Sequence, residues 1–269
     1  MSTQATRVAT AIRAANAEGR AALIIYLPAG YPDMATSRAC LEAAAEAGAD
    51  LLEVGFPYSD PLMDGATIQA ANQVALDAGY TPADDLAMCA ELTGVVGVPV
   101  LVMTYYNLAW HYRGIEQLVA FAHHAAASGL SGAILPDLPA WEGGPWSTVA
   151  ASHGLATVFL AAPTSTDERL AAVAARSNGF VYATSTLGVT GERASLSQMA
   201  SPLVARLRAV TDAPVCVGIG VTTRDHATEV AGFADGVIVG SAAVRAVGDG
   251  GPAAVAALVR DLAAGVRAR

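Results

Sequence analysis

The segment D-L-L-E-V-G-F-P-Y-S-D-P-L-M-D-G, residues Asp50 to Gly65, contains the strand and loop of one repeating unit of the fold. Its first part, Asp50–Phe56, is an apolar run of strand length that one carboxylate, Glu53, interrupts. The polar residues after it are typical of a loop, and a helical pattern through Ile68 and Val74 follows. The segment therefore predicts a buried strand, a loop with two more carboxylates, and a helix.

The same order of elements repeats along the chain of 269 residues. Apolar runs alternate with Ala-rich helical segments, several of which end at a glycine such as Gly48 or Gly129. The predicted strands are Ala22–Pro28, Asp50–Phe56, Val98–Tyr105, Gly132–Pro136, Ala156–Ala161, Gly179–Thr184, Pro214–Gly218 and Asp235–Val239. Eight such units predict one α/β domain over residues 1–269, a single (β/α)8 TIM barrel with a short N-terminal helix and extra helices in the loops. The alternative, a doubly wound open sheet, lacks its glycine fingerprint after the first strand.

Composition argues against several classes of protein. The net charge of −9 and the lack of a basic cluster argue against a nucleic-acid partner. The apolar runs are shorter than a membrane span requires, and the N-terminus lacks a signal-peptide pattern. Cys40, Cys89 and Cys216 are scattered, so we expect reduced thiols in a cytoplasmic protein. His123 and His124 are neighbours on a predicted helix and point in different directions, so we expect no metal site.

The chain contains no lysine, and every basic residue is an arginine or a histidine. A carbon–carbon lyase built on this chain therefore cannot form a Schiff base through a lysine. Its chemistry has to come from other side chains.

Glu53 is the first candidate for that chemistry. Side chains alternate across a strand, and the large apolar residues Leu52, Val54 and Phe56 indicate the face that packs against helices. Glu53 then points to the barrel axis near the C-terminal end, where barrel enzymes carry their active sites. A buried carboxylate has a raised pKa and can donate a proton near neutral pH. The alternative is a structural carboxylate paired with a buried arginine or hydroxyl group.

The loop after this strand carries Asp60 and Asp64. Asp60 lies in a Ser-Asp-Pro turn, and Asp64 precedes a predicted helix, so turn formation or helix capping is the usual explanation of such residues. Asp64 is also a candidate because its loop lies above Glu53 at the mouth of the barrel.

Tyr105 and Tyr182 end predicted strands and either line a pocket for an aromatic ligand or pack in the core.

Three late loops are rich in glycine. They are L-G-V-T-G at 187–191, V-G-I-G-V at 217–221 and I-V-G-S-A at 238–242. Glycine lets the backbone approach a ligand, and the free N–H groups at a helix start bind anions. Thr222 and Ser241 stand at predicted helix starts after two of these loops. This arrangement predicts a phosphorylated substrate; tight turns alone are the alternative.

The segment L-E-V-G-F-P-Y-S-D-P-L-M-D-G-A-T-I-Q at Leu52–Gln69 resembles the signature of the tryptophan synthase alpha subunit family. Further segments match in the same order: Tyr26–Pro32, Met103–Asn107, Ile134–Pro139, Tyr182, Gly188–Gly191, Val217–Gly220 and Val239–Ser241. The resemblance implies a lyase that splits indole-3-glycerol phosphate into indole and D-glyceraldehyde 3-phosphate. This retro-aldol cleavage belongs to the last stage of L-tryptophan biosynthesis.

The resemblance also implies roles for single residues. Glu53 matches the family's general acid/base, which protonates the departing ring carbon, and Asp64 matches the carboxylate that hydrogen-bonds the indole N–H. Thr190 matches a loop threonine that helps to close the site and orient the catalytic Asp. The matched substrate-binding positions are Tyr26, Met103, Tyr105, Tyr182, Thr190, Gly191, Ile219, Gly220, Gly240 and Ser241.

Members of the family work with a beta subunit that carries pyridoxal phosphate, in an alpha2-beta2 assembly. The resemblance implies that the partner-facing residues are Pro57, Tyr58, Asp60, Pro61 and Asn107. The cofactor then belongs to the partner, because a chain without lysine cannot hold it as an internal Schiff base.

The chain also departs from the family pattern beside Asp64. Met63 stands where the family usually has Ala, and Ala66 replaces a common Pro. These departures leave open a stand-alone indole-releasing lyase that is not coupled to a beta subunit. Two further alternatives share the barrel fold: a sugar-phosphate isomerase or epimerase, and a non-catalytic barrel that activates a partner.

Overall fold

The strands form a closed parallel barrel. The computed structural model describes residues 4–113, 117–184 and 196–268. The strands are β1 (Ala22–Pro28), β2 (Leu51–Gly55), β3 (Val100–Met103), β4 (Gly132–Ile134), β5 (Ala156–Ala161), β6 (Val181–Thr184), β7 (Val215–Gly218) and β8 (Gly236–Val239). They follow one another in chain order, and β1 also pairs with β8, which closes the sheet. The predicted TIM barrel is confirmed, and the open sheet is wrong.

Helices surround this barrel and connect successive strands. They are α1 (Gln4–Ala17), α2 (Met34–Glu46), α3 (Ala66–Asp77), α4 (Pro82–Val95), α5 (Tyr106–Trp110), α6 (Gln117–Ala127), α7 (Gly144–Ser152), α8 (Asp167–Arg176), α9 (Leu196–Arg208), α10 (Arg224–Ala231) and α11 (Ser241–Val266). The predicted N-terminal helix is α1. The predicted extra helices are present too, because α3 and α4 both lie between β2 and β3, and α5 and α6 both lie between β3 and β4.

Alternation along the strands separates two apolar layers. Leu51 packs inside the barrel, whereas Leu52 and Val54 pack in the layer between strands and helices. Val8 of α1 belongs to the inner layer and comes close to Gly179, just before β6. Helix α1 therefore closes the N-terminal end of the barrel, and the C-terminal end is left for a site.

The predicted strand Val98–Tyr105 is too long at both ends. In the structure β3 stops at Met103, and Tyr105 is the N-cap of α5. The backbone N–H of Tyr106 donates to the Asp137 carboxylate at 2.8 Å, so the chain leaves the sheet here. The other predicted strands agree with the observed ones to within one or two residues at each end.

Helix α11 is long and apolar enough to cross a membrane, as judged by length and composition alone. Its backbone is non-helical at Gly250 and Gly251, so two shorter helices meet there. Buried side chains such as Val255 and Val259 belong to the layer between strands and helices, and α11 packs against α2 and α10. We therefore interpret α11 as part of the ring of helices around the barrel.

Candidate active site

Glu53 lies in the middle of β2 and is fully buried. The sheet register sets it beside Tyr26 of β1 and Leu101 of β3. Within the described part of the chain, neither of its carboxylate oxygens has a hydrogen-bond partner. Burial alone raises the pKa of this carboxyl group from 4.5 to about 8. The structure therefore presents an unpaired carboxyl group that is protonated at neutral pH, and not the paired structural carboxylate that was the alternative.

Asp64 is half-buried in the loop between β2 and α3. Burial raises the pKa of its carboxyl group from 3.8 to about 6, although hydrogen bonds with Tyr105 and Asn72 act in the opposite direction. The Asn72 amide donates to the Asp64 carboxylate at 3.1 Å. The N-cap of α3 is Gly65, so Asp64 does not cap that helix. The capping alternative is wrong, and Asp64 is ionised at neutral pH.

Tyr105 connects the loop of Asp64 to the neighbouring loop. Its hydroxyl oxygen accepts a hydrogen bond from the Met63 N–H at 2.9 Å. Its ring stacks on that of Tyr58, with the ring centroids 5.0 Å apart. Because Tyr105 follows β3 instead of ending it, this side chain reaches across the mouth of the barrel to the β2–α3 loop.

Tyr26 and Tyr182 enter the barrel from β1 and β6. Both side chains are strongly desolvated, and burial raises the pKa of each hydroxyl group well above its usual value. A β-carbon at Gly55 would overlap the Tyr26 hydroxyl, and one at Gly218 would overlap the Tyr182 hydroxyl. The two glycines thus provide the space that lets both rings lie above the inner layer.

A cavity of about 130 Å³ lies at the C-terminal end of the barrel. Its lining residues are Met63, Met103, Pro136, Leu160, Tyr182, Thr184 and Gly218. Most of this wall is apolar, and Thr184 and the Tyr182 hydroxyl add polar groups. An apolar cavity with a few polar groups suits a small aromatic ring.

The positions predicted to bind phosphate lie on β7–α10 and β8–α11. Ile219 is buried, and Gly220 has a positive φ of 79° that favours glycine. Gly240 is the N-cap of α11, and Ser241 is its first residue. The first N–H groups of a helix have no acceptor within the helix and are therefore available to an anion. Thr222 does not start a helix as predicted, because Thr223 caps α10 by accepting from the His226 N–H.

Thr190 and Gly191 lie outside the described residues, together with the rest of the loop at 187–191.

The predicted partner-facing residues come together on the loops after β2 and β3. Asn107 donates to the Tyr58 hydroxyl at 2.8 Å, and Ser59 donates to the exposed Asp60 carboxylate at 2.7 Å. Pro61 lies in the same stretch as Asp60, between β2 and α3, whereas Pro57 is buried just after the end of β2 and is not part of this surface. Nearby, the apolar side chain of Leu62 is 86% exposed. The two loops thus form one surface beside the mouth of the barrel.

Two buried polar residues were missed from the sequence. Asn72 lies on α3 and donates a hydrogen bond to the Asp64 carboxylate, and its sequence context gave no signal of this contact. Asp85 is a second carboxyl group that burial and the charge of Asp84 give a raised pKa of about 8. It lies on α4 in the outer ring of helices and is not part of the site.

Among the described residues, no group of three His, Cys, Asp or Glu side chains is arranged to hold a metal ion.

Comparison with known proteins gives one consistent result. A family model described as tryptophan synthase alpha chain matches residues 12–265. The tryptophan synthase alpha chain of Streptomyces avermitilis is 51% identical over 95% of this chain and 93% of its own length. That of Mycobacterium avium is 49% identical over 99% and 96%.

Solved structures agree with these sequence comparisons. A structure of Mycobacterium tuberculosis tryptophan synthase has a TM-score of 0.89 and 48% identity, and the match covers 97% of this chain and 98% of that one. A chain in the tryptophan synthase complex of Pyrococcus furiosus has a TM-score of 0.79 and 34% identity, over 90% and 98% of the two chains.

Proposed function

The chain belongs to the tryptophan synthase alpha chain family, and we propose that its barrel cleaves indole-3-glycerol phosphate into indole and D-glyceraldehyde 3-phosphate. The observation that carries the proposal is a pair of carboxyl groups, one inside the barrel on β2 and one in the loop that follows β2. Glu53 is buried and protonated, whereas Asp64 is half-buried and ionised. Two carboxyl groups with such different environments take different chemical roles.

Glu53 acts as the general acid and then as the general base. Its proton goes to carbon 3 of the indole ring, which leaves positive charge on the ring nitrogen. The bond between carbon 3 and the side chain then breaks, and its electron pair restores the aromatic ring. The hydroxyl group on the departing side-chain carbon loses its proton to the Glu53 carboxylate and becomes the aldehyde. The residue ends the cycle protonated, as it began.

Asp64 accepts a hydrogen bond from the indole N–H. Since positive charge develops on that nitrogen when carbon 3 is protonated, the carboxylate stabilises the transition state more than the bound substrate. Asn72 donates to one carboxylate oxygen of Asp64, and this contact helps to orient the carboxylate. In this arrangement Asp64 contacts the ring nitrogen from the loop, while Glu53 reaches carbon 3 from the strand.

The remaining positions bind the two ends of the substrate. The indole ring occupies the apolar cavity beside Met103, Tyr105 and Tyr182, with Tyr26 next to Glu53. The phosphate binds at Gly220, Gly240 and Ser241 beside Ile219, where the N-terminus of α11 favours an anion. Thr190 and Gly191 complete the site in this proposal, on the strength of the family resemblance.

We also propose that the chain assembles with a tryptophan synthase beta subunit as an alpha2-beta2 complex in the cytoplasm. The surface formed by Tyr58, Asp60, Pro61 and Asn107 faces that partner. Pyridoxal phosphate fits the partner and not this chain, because the chain has no lysine to bind it. Free, buried cysteines agree with a reducing compartment.

An assay of indole release from indole-3-glycerol phosphate, with and without a beta subunit, tests the proposal. Glu53→Gln should reduce turnover by about 10²–10⁴-fold, and Asp64→Asn should reduce it by a similar factor. Asp85→Asn is the matched control, because it removes another buried carboxyl group of raised pKa outside the site. Near-normal turnover of Glu53→Gln would refute the mechanism.

The same assay separates the alternatives. Turnover that depends on the beta subunit identifies an ordinary alpha chain, and high turnover without it identifies an independent lyase. Absence of turnover in both conditions supports a non-catalytic barrel. The named relatives favour the first outcome, since the compared sequences are tryptophan synthase alpha chains.

A further inference from the structure

A methionine from the β2–α3 loop forms part of the cavity wall. The ends of the strands supply lining residues such as Leu160 and Tyr182, and Met63 reaches the cavity from the loop. In the described part of the chain, Met63 is the only residue of that loop in the lining. Its neighbour Leu62 is 86% exposed, whereas Met63 is 39% exposed. One loop residue therefore faces the ligand side, and the adjacent one faces solvent.

The backbone around Met63 is held on both sides. Its N–H donates to the Tyr105 hydroxyl at 2.9 Å, and the N–H of Asp64 donates to the Pro61 carbonyl at 3.1 Å. The Asp64 carboxylate in turn accepts from Asn72. With its backbone fixed, Met63 keeps its side chain over the cavity and adjusts only through its own flexible bonds.

We propose that Met63 is a specificity-determining residue that limits the substituents which the indole ring of the substrate can carry. The inference rests on the proposed function, because it assigns the cavity to the indole ring. A ring substituent directed toward the loop meets the sulfur and the ε-methyl group of Met63. Alanine at this position removes both atoms and the γ-carbon from the wall. The substrates admitted by that change are ring-substituted indole-3-glycerol phosphates.

The reverse reaction gives a direct test with simple reagents. It joins carbon 3 of an indole to the aldehyde carbon of glyceraldehyde 3-phosphate, and the ring proton ends on the new hydroxyl group. We would measure kcat/KM for indole and for methylindoles that carry the methyl group at each position of the benzo ring. Met63→Ala should raise the methylindole-to-indole ratio by about tenfold or more for at least one position.

Two control variants isolate the side chain. Met63→Leu keeps the volume of the wall and should leave the ratio within about twofold of wild type. Leu62→Ala changes a side chain of the same loop that faces solvent, and its ratio should also stay unchanged. A ratio that does not move in Met63→Ala, or that rises as much in Leu62→Ala, overturns the inference.

Loss of turnover in Met63→Ala would not prevent the test. Dissociation constants of indole and the methylindoles are then measured by calorimetry in the Glu53→Gln background, with and without Met63→Ala, and the same ratio is compared. Failure of the proposed function gives a different result: the wild-type chain would not condense indole itself with glyceraldehyde 3-phosphate.

Discussion

Replacement of Glu53 by glutamine should stabilise the protein while it removes the activity. The wild-type carboxyl group is fully buried, and within the described residues it has no hydrogen-bond partner. Its pKa rises from 4.5 in the unfolded chain to about 8 in the fold. Glutamine resembles the protonated acid in shape and charge, so it keeps the neutral state at every pH.

The sign and size of the effect follow from this rise in pKa. Between pH 4.5 and about 8 the folded protein binds more protons at Glu53 than the unfolded chain does, so its free energy of unfolding falls as the pH rises. Each unit of pKa difference corresponds to about 1.4 kcal/mol. Glu53→Gln should therefore have a free energy of unfolding higher than that of the wild type by about 1 kcal/mol at pH 5, roughly 3 kcal/mol at pH 7 and roughly 5 kcal/mol above pH 9.

Urea-induced unfolding, followed by circular dichroism at several pH values, measures this difference. Asp64 and Asp85 also have raised pKa values, but both are present in the two proteins, so their effects cancel in the comparison. The result that would refute the reasoning is a difference in stability that is the same at pH 5 and pH 8.5. It would mean that Glu53 is solvated or paired in solution.

Three further predictions concern activity. The pH profile of kcat/KM should rise through about 6, as Asp64 loses its proton, and fall through about 8, as Glu53 loses its own; a flat profile between 5 and 9 would contradict these roles. Asn72→Ala removes a hydrogen bond that lowers the pKa of Asp64, so the acid limb of that profile should move to higher pH while the basic limb stays. Gly218→Ala should displace the Tyr182 ring, raise KM and cost about 1–3 kcal/mol of stability. Its control is Gly94→Ala on α4, where a β-carbon meets no atom of the described residues within 4 Å; equal effects of the two changes would count against the packing argument.

The inward direction of Glu53 could be predicted from the sequence because it depends on a local property. Alternation along a strand is fixed by backbone geometry, and the large apolar residues Leu52 and Val54 identify the outer face. The number of strand–helix units could be predicted for the same reason, since each strand and each helix has its own sequence pattern. The ends of strands were less certain, as Tyr105 shows, because its position depends on Asp137 from another loop.

The contacts of Asp64 could not be predicted, because they join parts of the chain that no local pattern connects. The hydroxyl of Tyr105 reaches the backbone of Met63 over a separation of 42 residues. Asn72 reaches Asp64 from within α3, at a separation of 8 residues. Sequence reasoning could not separate capping from chemistry at Asp64, and the geometry of Gly65 as the N-cap decides against capping.

Among the described residues Glu53 has no hydrogen-bond partner, and this environment is what allows the proposed chemistry. An arginine beside this carboxyl group would lower the pKa of Glu53, as a nearby positive charge does for any buried acid. The residue would then be ionised at neutral pH and would have no proton to give to the indole ring. Asp64 needs the opposite property, and its half-buried position with a donor from Asn72 keeps it charged. The barrel therefore tolerates a destabilising residue in its interior because a proton donor and a charged acceptor cannot share one environment.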